Sequence, residues 1–458
     1  MINKKFLLRL IRHIYAKTSP TYHRTIRLLQ STEYLSEESL QQLQFRHLKN
    51  MLVHAFEKSH YYRETFHQAG VDPHDMIELD DIQAFPLLTK QQYRDNLDKI
   101  MSKDAKKPFL IHMYTGGTTG TPLPLYRQLN DFARQEAFVD YMYLMMGADP
   151  FCKTVYLRGE VGDKKGIYHY VGNFGKILYL SSHNMTDRNL ELYIKLIRDY
   201  KPRLMYALPS VAMILAGYLE RNHIAPFAGL RWAICPSENL YEFQIKYIQK
   251  VLQCQVHNFY GHGEHAVLAS GCTKSTRYHV LPQYGYAELI DEDGNLVTQE
   301  GGLGEIVATS FTNPCCPFIR YRTGDYAVYT AKKCPCGRNY TMWEKIEGRV
   351  QAVAIAKNGG RISIGPDLLC TIFDRTYMKI KQFKIEQRRV GELTFRVIPH
   401  KNSDIIEIRQ FFKRIFNEQF PGSFDVKVER LEESDLDQRD KHLYFIQHVE
   451  CKDTALNE

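Results

Sequence analysis

Residues 107–260 alternate short apolar runs with longer segments of helical periodicity, and this alternation restricts the fold more than any other feature of the sequence. The apolar runs are Thr154–Leu157, Leu204–Tyr206, Leu230–Ile234 and Val256–Phe259. The segments that repeat apolar residues at helical spacing are Leu190–Tyr200, Ser210–Arg221 and Tyr241–Leu252. This pattern predicts a mostly parallel sheet with crossover helices, in which ligands bind at the carboxyl ends of the strands.

The regions before and after residues 107–260 have different patterns of apolar residues. Ser36 and the leucines that follow it at helical spacing predict a helical pair over residues 36–67. Residues 280–347 read as short antiparallel strands, and residues 349–458 read as an α+β domain. In that domain we predict a hairpin at Asn358-Gly359-Gly360, helices near 366–377 and 404–419, and strands near 381–398, 425–431 and 443–449. The predicted fold is an α/β body, residues 1–348, with a small antiparallel β unit, followed by a separate domain, residues 349–458.

Composition narrows the class of protein. A chain of 458 residues has room for two or more domains, and a net charge of +8 favours anionic ligands such as nucleotides. Arginine-rich tracts and nucleic-acid motifs are absent from the sequence, so nucleic acid is not an expected partner. Ten cysteines in a chain this long do not form a small disulfide framework, which favours a reducing, cytoplasmic compartment.

The N-terminal segment Met1–Arg27 is the most basic part of the sequence. Its apolar run, Phe6–Ile11, is too short and too interrupted for a signal peptide. Two interpretations stay open. The segment is either a basic amphipathic helix that contacts a membrane or a partner, or a helix that packs on its own domain.

A glycine-rich loop follows the apolar run Phe109–Ile111. Residues 114–122 contain three glycines and four threonines. Backbone N–H groups of such a loop can approach a triphosphate closely, and hydroxyls add donors. The candidate phosphate-binding residues are Thr115, Gly116, Gly117, Thr118, Thr119 and Gly120. The loop lacks the Gly-Lys-Ser/Thr ending of a Walker A motif, and a plain surface loop is the alternative.

Three further motifs follow predicted strands and carry acidic or hydroxyl side chains. They are Pro236-Ser237-Glu238, Tyr260-Gly261-His262-Gly263-Glu264 and Tyr321-Arg322-Thr323-Gly324-Asp325. Glu264 is either a ligand of Mg²⁺ beside ATP phosphates or a solvated glutamate after a Tyr-Gly turn. Asp325 is either an acceptor for two vicinal hydroxyls or part of an ordinary Thr-Gly-Asp turn.

A separate group of residues has the composition of a metal site. Cys334 and Cys336 are one residue apart, and Cys272 and His279 lie on the preceding antiparallel segment. Three cysteines and one histidine form an accepted tetrahedral set for structural zinc. The C-x-C spacing is tighter than the usual C-x₂-C, so free buried thiols are the alternative.

These motifs together resemble the adenylate-forming superfamily, which includes acyl-CoA synthetases, aryl-CoA ligases and luciferases. The sequence is most similar to the phenylacetate–CoA ligase family, in particular its branch from capsular polysaccharide biosynthesis, over about residues 35–450. The resemblance implies a large body followed by a mobile lid, residues 349–458. It implies that the loop cradles the ATP phosphates, that Tyr260 stacks on adenine beside Gly261 and His262, and that Glu264 holds Mg²⁺. It also implies that Ser237-Glu238 abuts adenine, and that Asp325 and the hinge residue Arg349 orient the ribose.

The resemblance extends to a catalytic lysine in the lid, with some departures from the family pattern. Lys441 matches a loop lysine that enters the active site during adenylation, and with Glu264 and Thr118 it completes the candidate catalytic set. Asp440 stands where glycine is usual, Gln351 where aspartate is usual, and Leu123 where lysine is usual. The segment Pro86–Lys90 resembles the family's entry to the nucleotide domain, although Thr89 would serve equally well as a plain helix cap. Several relatives have a similar Cys/His cluster.

The expected reaction has two steps. A small carboxylic acid attacks the α-phosphate of Mg·ATP, giving acyl-AMP and pyrophosphate, and a nucleophile then displaces AMP. The expected cofactors are ATP, Mg²⁺, CoA as the default acceptor and structural Zn²⁺, while a carrier protein or a sugar amine stays open as the acceptor. Two alternatives are adenylyl transfer without a thioester, as for coenzyme F420, and a non-catalytic scaffold in polysaccharide assembly. The acid and the oligomeric state are left open.

Overall fold

The computed structural model describes most of the chain. The described residues are 15–105, 110–114, 123–157, 169–172, 175–182, 185–349, 353–363, 372, 379–400, 403–431 and 445–449. The chain divides into two compact units, one from Met1–Cys152 and His257–Gly348, the other from Lys153–Val256 and Arg349–Glu458. The predicted boundary after residue 348 coincides with a boundary between these units, but residues 1–348 contribute to both. The division into body and lid therefore stays a prediction.

The helices begin where their capping residues predict. Ser36 Oγ accepts the N–H of Ser39 at 3.2 Å, and Thr89 Oγ1 accepts that of Gln92 at 3.2 Å. The predicted helical pair and the cap at Thr89 are therefore confirmed. The helices are Pro20–Thr32, Glu37–Lys58, His60–Ala69, Lys90–Asp95, Leu97–Ile100, Leu129–Met145, Asp187–Tyr200, Pro209–Arg221, Glu242–Leu252 and Ile405–Gln419, with a 3₁₀ helix at Leu79–Ala84.

The described strands are short and are numbered in chain order. They are β1 Ile111–Tyr114, β2 Pro124–Arg127, β3 Thr154–Leu157, β4 His169–Gly172, β5 Ile177–Leu180, β6 Leu204–Ala207, β7 Trp232–Ile234, β8 Gln255–His257, β9 Phe259–Gly261, β10 Leu268–Cys272, β11 Ser275–Val280, β12 Gly285–Ile290, β13 Leu303–Ser310, β14 Tyr321–Thr330, β15 Met342–Arg349, β16 Val353–Ile355, β17 Arg361–Ser363, β18 Ile380–Arg389, β19 Glu392–Pro399, β20 Asp425–Arg430 and β21 Phe445–Gln447.

The first unit contains a seven-stranded sheet in the order β12-β13-β14-β15-β11-β10-β9. Pairing is antiparallel along β12-β13-β14 and along β15-β11-β10-β9. Apolar residues of the N-terminal helices, of this sheet and of the loop before β14 form one core, which includes Leu52, Phe66, Phe318 and Trp343. The short pair β1-β2 brackets the glycine-rich loop, with Tyr114 opposite Pro124.

The second unit contains the predicted parallel sheet, in the order β4-β5-β3-β6-β7-β8. Strands β5, β3, β6 and β7 pair in parallel, and β4 adds an antiparallel edge. Its core joins Val155, Leu178 and Met205 to buried residues of the crossover helices. The alternating pattern therefore predicted this sheet correctly.

The C-terminal part of the second unit is a four-stranded sheet, β20-β19-β18-β21, with the helix Ile405–Gln419 on one face. The rings of Phe395 and Phe412 lie 4.2 Å apart in its core. The predicted hairpin is present as β16-β17. Buried Gln387 joins it to the sheet, because its amide accepts the N–H of Ile355 at 2.7 Å and donates to the Ile355 carbonyl at 2.8 Å. The helix predicted near 366–377 lies outside the described residues, apart from residue 372.

One expectation about strands was wrong. The run Val256–Phe259 is not one strand, because β8 belongs to the parallel sheet and β9 to the antiparallel one. The chain leaves the parallel sheet at Asn258, whose side chain donates to Tyr278 Oη at 3.1 Å. Tyr260 and Gly261 therefore lie within an antiparallel strand. The antiparallel sheet has seven strands, because β9, β10 and β11 join the strands that follow them in the sequence.

Candidate functional site

Glu264 lies on a tight turn that follows β9. The N–H of His265 donates to the carbonyl of His262 at 3.1 Å, and His265 has a φ of 56°. The carboxylate of Glu264 is buried and accepts from His262 Nδ1 at 3.0 Å and from Tyr321 Oη at 3.1 Å. Burial alone would raise the pKa of Glu264, but these donors outweigh it and lower the pKa to about 2. Glu264 is therefore a buried anion at neutral pH.

Asp325 lies in the middle of β14, at an irregular point of the pairing with β13. Gly324 has a φ of 73°, which glycine adopts without strain, and its N–H donates to Glu305 Oε1 at 3.1 Å. Thr323 Oγ1 donates to the Ile306 carbonyl at 2.8 Å and accepts the N–H of Asp325 at 3.1 Å. The predicted Thr-Gly-Asp turn is therefore a bulge within a strand, and it fixes the direction of Asp325.

Tyr260 connects the two motifs. Its hydroxyl donates to Asp325 Oδ2 at 2.8 Å, and its ring centre lies 6.0 Å from that of His262. Burial and the neighbouring Asp325 carboxylate raise the pKa of Tyr260 well above its usual range, so the hydroxyl stays protonated. A Cβ at Gly261 would lie 2.8 Å from Leu268 Cδ1, so a side chain at this position would require Leu268 to shift. The structure thus brings together five sequence-predicted residues, Tyr260, Gly261, His262, Glu264 and Asp325.

Sequence reasoning missed the residue that holds this turn from the other side. Arg127 ends β2 and is only 1% exposed. Its guanidinium donates to the Gly263 carbonyl and to His265 Nδ1, each at 2.5 Å. Burial and the Arg127 charge lower the pKa of His265 well below its usual range, so the ring is neutral and accepts. The only available signal was an arginine at the end of the strand that leaves the glycine-rich loop.

Ser237 and Glu238 belong to the other compact unit. Ser237 has a φ of 76°, an uncommon conformation for a residue with a side chain. The Glu238 carboxylate accepts from the Ser210 backbone N–H at 2.9 Å and from Ser210 Oγ at 3.0 Å. Glu238 therefore caps the helix Pro209–Arg221, because Leu208 at the N-cap position has an apolar side chain that cannot accept a hydrogen bond.

The structure describes only some of the remaining predicted site residues. Thr115, Gly116, Gly117, Thr118, Thr119 and Gly120 lie outside the described residues, as do Lys441, Asp440 and Gln351. Arg349 is the last residue of β15. Leu123, where the family usually has lysine, is fully buried in the core of the first unit. The departure at Leu123 is therefore a packing feature of this chain.

The four candidate metal ligands converge. Ligand atoms of Cys272, His279, Cys334 and Cys336 all lie within 4.8 Å of one another. Cys272 Sγ is 3.6 Å from Cys334 Sγ, and His279 Nε2 is 3.3 Å from Cys336 Sγ. A tetrahedral zinc with Zn–S bonds of about 2.3 Å separates its ligand atoms by roughly 3.7 Å. His279 Nδ1 lies 3.2 Å from the Ser270 carbonyl, a contact that directs Nε2 toward the thiols. The residues therefore fit zinc.

Comparison with known proteins identifies the family. A family model described as AMP-binding enzyme matches residues 62–312. The chain belongs to this family. The phenylacetate–coenzyme A ligase of Escherichia coli is 29% identical over 375 residues, covering 80% of this chain and 83% of the relative. The enzyme of the same name from Thermus thermophilus is 26% identical, covering 79% and 81%. Protein CapK from Staphylococcus aureus is 27% identical, covering 66% of this chain and 65% of CapK.

Solved structures agree on the fold. The 2-hydroxyisobutyryl-CoA ligase in its postadenylation state, in complex with 2-HIB-AMP, gives a TM-score of 0.71 at 18% identity and covers 91% of each chain. The AtGH3.15 acyl acid amido synthetase gives a TM-score of 0.58 at 12% identity and covers 89% of each chain. The resemblance drawn from the motifs is thus confirmed for the family and for the adenylate-forming fold, and the match to CapK supports the predicted branch.

Proposed function

We propose that this AMP-binding enzyme activates a small carboxylic acid as an acyl-adenylate and transfers the acyl group to coenzyme A. The observation that carries the proposal is that two carboxylates of one compact unit, those of Glu264 and Asp325, are both held in place by hydrogen bonds. Asp325 accepts from the hydroxyl of Tyr260 on β9, and Glu264 accepts from that of Tyr321 on β14. The carboxylate chemistry suits a divalent cation at one position and a ribose at the other.

The roles follow from this arrangement. Glu264 would hold Mg²⁺, which neutralises charge on the ATP phosphates when it is bound. Asp325 would accept hydrogen bonds from the ribose hydroxyls, and Tyr260 would stack on adenine beside Gly261. His262 donates through Nδ1, and its buried Nε2 has no hydrogen-bond partner among the described residues, which leaves that atom for the ligand. For Thr115–Gly120, Ser237, Glu238 and Arg349 we propose the nucleotide-binding roles that the family resemblance implies.

Coenzyme A is the proposed acceptor because the relatives in Escherichia coli and Thermus thermophilus are phenylacetate–coenzyme A ligases. A structure of 2-hydroxyisobutyryl-CoA ligase with 2-HIB-AMP and CoA has a related fold, with a TM-score of 0.58. A role in surface polysaccharide biosynthesis is proposed on the likeness to CapK and on the Tyr-Gly-His sequence of residues 260–262. The cytoplasmic compartment stays a prediction. Within the described residues, no helix is long and apolar enough to cross a membrane.

We propose in addition that Cys272, His279, Cys334 and Cys336 hold one structural zinc ion. Support comes from the convergence of three sulfur atoms and one imidazole nitrogen around a point of tetrahedral size. The cluster lies between β10, β11 and the loop before β15. Zinc there would tie that loop to the antiparallel sheet.

A screen of carboxylic acids for ATP-dependent pyrophosphate release tests the function. Purified protein should release pyrophosphate with at least one acid, and adding coenzyme A should yield AMP and a thioester. Pyrophosphate release without any thioester would favour adenylyl transfer alone. If calorimetry at millimolar nucleotide, with Mg²⁺ and candidate acids, detects no ATP binding, the catalytic proposal is wrong. The alternative of a non-catalytic scaffold in polysaccharide assembly is then favoured.

A further inference from the structure

Four neighbouring strands of the six-stranded sheet are each preceded by an exposed cation. Lys176, Lys153, Arg203 and Arg231 immediately precede β5, β3, β6 and β7. We call these four residues the basic row. At about 4.8 Å between neighbouring strands, the row is roughly 14 Å long.

Backbone hydrogen bonds make the row continuous. The N–H of Thr154 donates to the Lys176 carbonyl at 3.0 Å, and that of Arg203 donates to the Lys153 carbonyl at 2.8 Å. The N–H of Arg231 donates to the Arg203 carbonyl at 2.8 Å. The backbones of the four residues are therefore held beside one another by the sheet itself.

Further cations flank the row. The C-terminal half of the helix Asp187–Tyr200 and the residue after it add Lys195, Arg198 and Lys201, all exposed. Arg198 donates to the Ala225 carbonyl at 3.1 Å. Over residues 195–203 the sequence has four cations and one acid, Asp199. This end of the unit is therefore strongly positive.

The charges of the row are not neutralised within the part of the chain that the structure describes. No carboxylate there forms an ion pair with any of its four residues. Lys153 Nζ lies 3.5 Å from the Tyr200 carbonyl and 5.1 Å from the centre of its ring. The Arg203 guanidinium lies 5.8 Å from the centre of the Trp232 ring. These are contacts with neutral groups, so the positive charge remains.

The C-terminal sheet of the same chain shows the opposite arrangement. There exposed and half-buried cations pair with carboxylates on neighbouring strands, as Lys427 does with Glu392 at 2.9 Å and Arg396 with Glu429 at 3.6 Å. Like charges on neighbouring strands destabilise a sheet, and opposite charges stabilise it. The row therefore carries a repulsion that an anionic partner would relieve.

We propose that the basic row binds the anionic surface of a phospholipid bilayer. The row is at the amino ends of the parallel strands, whereas ligands of such sheets bind at the carboxyl ends, where Ser237 and Glu238 follow β7, so it is separate from those two candidate residues. Half-buried Tyr200 and Trp232 lie beneath its cations, and aromatic residues with Lys or Arg are typical of surfaces that meet the headgroup region. The inference is independent of the proposed ligase function.

Sedimentation of the full-length protein with vesicles tests this inference. Binding should be much stronger to vesicles of phosphatidylcholine with phosphatidylglycerol than to phosphatidylcholine alone, and it should weaken as salt is added. Each cation near a charged bilayer contributes about fivefold to partitioning. The triple variant Lys153→Gln, Arg203→Gln and Arg231→Gln should therefore bind about a hundredfold more weakly.

A matched variant controls for net charge. Lys99→Gln, Lys103→Gln and Lys413→Gln remove the same charge at exposed positions outside the row and should bind as the wild type does. Because neutralisation relieves repulsion, the row variant should melt at or above the wild-type temperature. The proposal is wrong if wild-type protein binds vesicles with phosphatidylglycerol no better than vesicles without it. It is also wrong if the row variant binds as well as the wild type, because another basic surface would then bind the vesicles. Binding of the wild-type protein to duplex DNA but not to vesicles would overturn it as well.

Discussion

At the scale of single residues, the candidate site depends on side chains that hold other side chains. Glu264 and Asp325 come from short motifs that the sequence reveals. Tyr260 and Tyr321 belong to the same two motifs, and each donates to the acid of the other motif, whereas Arg127 comes from a distant position and has no motif of its own. Sequence patterns therefore predicted the acids and missed Arg127, because only the folded chain brings β2 beside the turn at Glu264.

The low pKa of Glu264 predicts a pH-dependent stability. Its folded-state pKa of about 2 lies below the ordinary value of 4.5. The ionised group therefore stabilises the fold above pH 4.5, and this contribution is lost as the pH falls toward 2. The gap corresponds to at most about 3 kcal/mol. Urea unfolding should show that Glu264→Gln is less stable than the wild type at neutral pH, and that the difference shrinks as the pH is lowered from about 5 to about 3. A constant difference would contradict the prediction. The control is Glu344→Gln, which removes an exposed carboxylate that pairs with half-buried Arg277.

Arg127 offers a test of positioning. Lysine keeps the charge but cannot donate to the Gly263 carbonyl and His265 Nδ1 with one planar group. We expect Arg127→Lys to lower kcat for pyrophosphate release about tenfold or more and to raise the Mg²⁺ concentration needed for half-maximal rate, because the Glu264 turn loosens. Added guanidinium should partly restore Arg127→Ala. A variant that melts earlier but keeps the wild-type Mg²⁺ dependence would show that Arg127 only stabilises the fold.

At the scale of helices and strands, the sequence predicted types better than partners. The alternation of apolar runs identified β3, β6 and β7 and their helices, because each run has the length of one buried strand. It joined β8 to β9 wrongly, since no change in apolar pattern marks Asn258, where the chain passes from one sheet to the other. The bulge at Gly324 was invisible for a related reason: it is defined by the pairing of β14 with β13, which a single sequence does not show.

At the same scale, the proposed zinc site at the Cys/His cluster joins a loop to the antiparallel sheet, and removal of the metal tests it. The loop with Cys334 and Cys336 also reaches the N-terminal helices, because Arg338 pairs with Glu33 and Asn339 donates to the Leu35 carbonyl at 2.9 Å. Purified protein should contain one zinc per chain. Chelation should lower the melting temperature by several degrees, since metal bound only by the folded state stabilises it, and should speed proteolysis near residues 33–36. The Cys336→Ser variant should melt as the chelated protein does. Zinc content well below one per chain would rule the site out.

At the scale of the whole molecule, the open question is how the segment after residue 348 takes part in the reaction. Lys441 lies outside the described residues, so its role rests on the resemblance of residues 438–445 to the family's lid loop. An ammonium group brought to the α-phosphate would stabilise developing charge during adenylation, and its removal should slow that step about a hundredfold or more. If the lid then turns away, transfer from supplied acyl-adenylate to coenzyme A should be nearly unchanged in Lys441→Ala. The matched variant Lys413→Ala removes an exposed lysine on the helix Ile405–Gln419 of the same segment and should leave both half-reactions intact. Equal losses in both half-reactions would indicate a damaged fold, and no loss in either would show that Lys441 is an ordinary surface lysine.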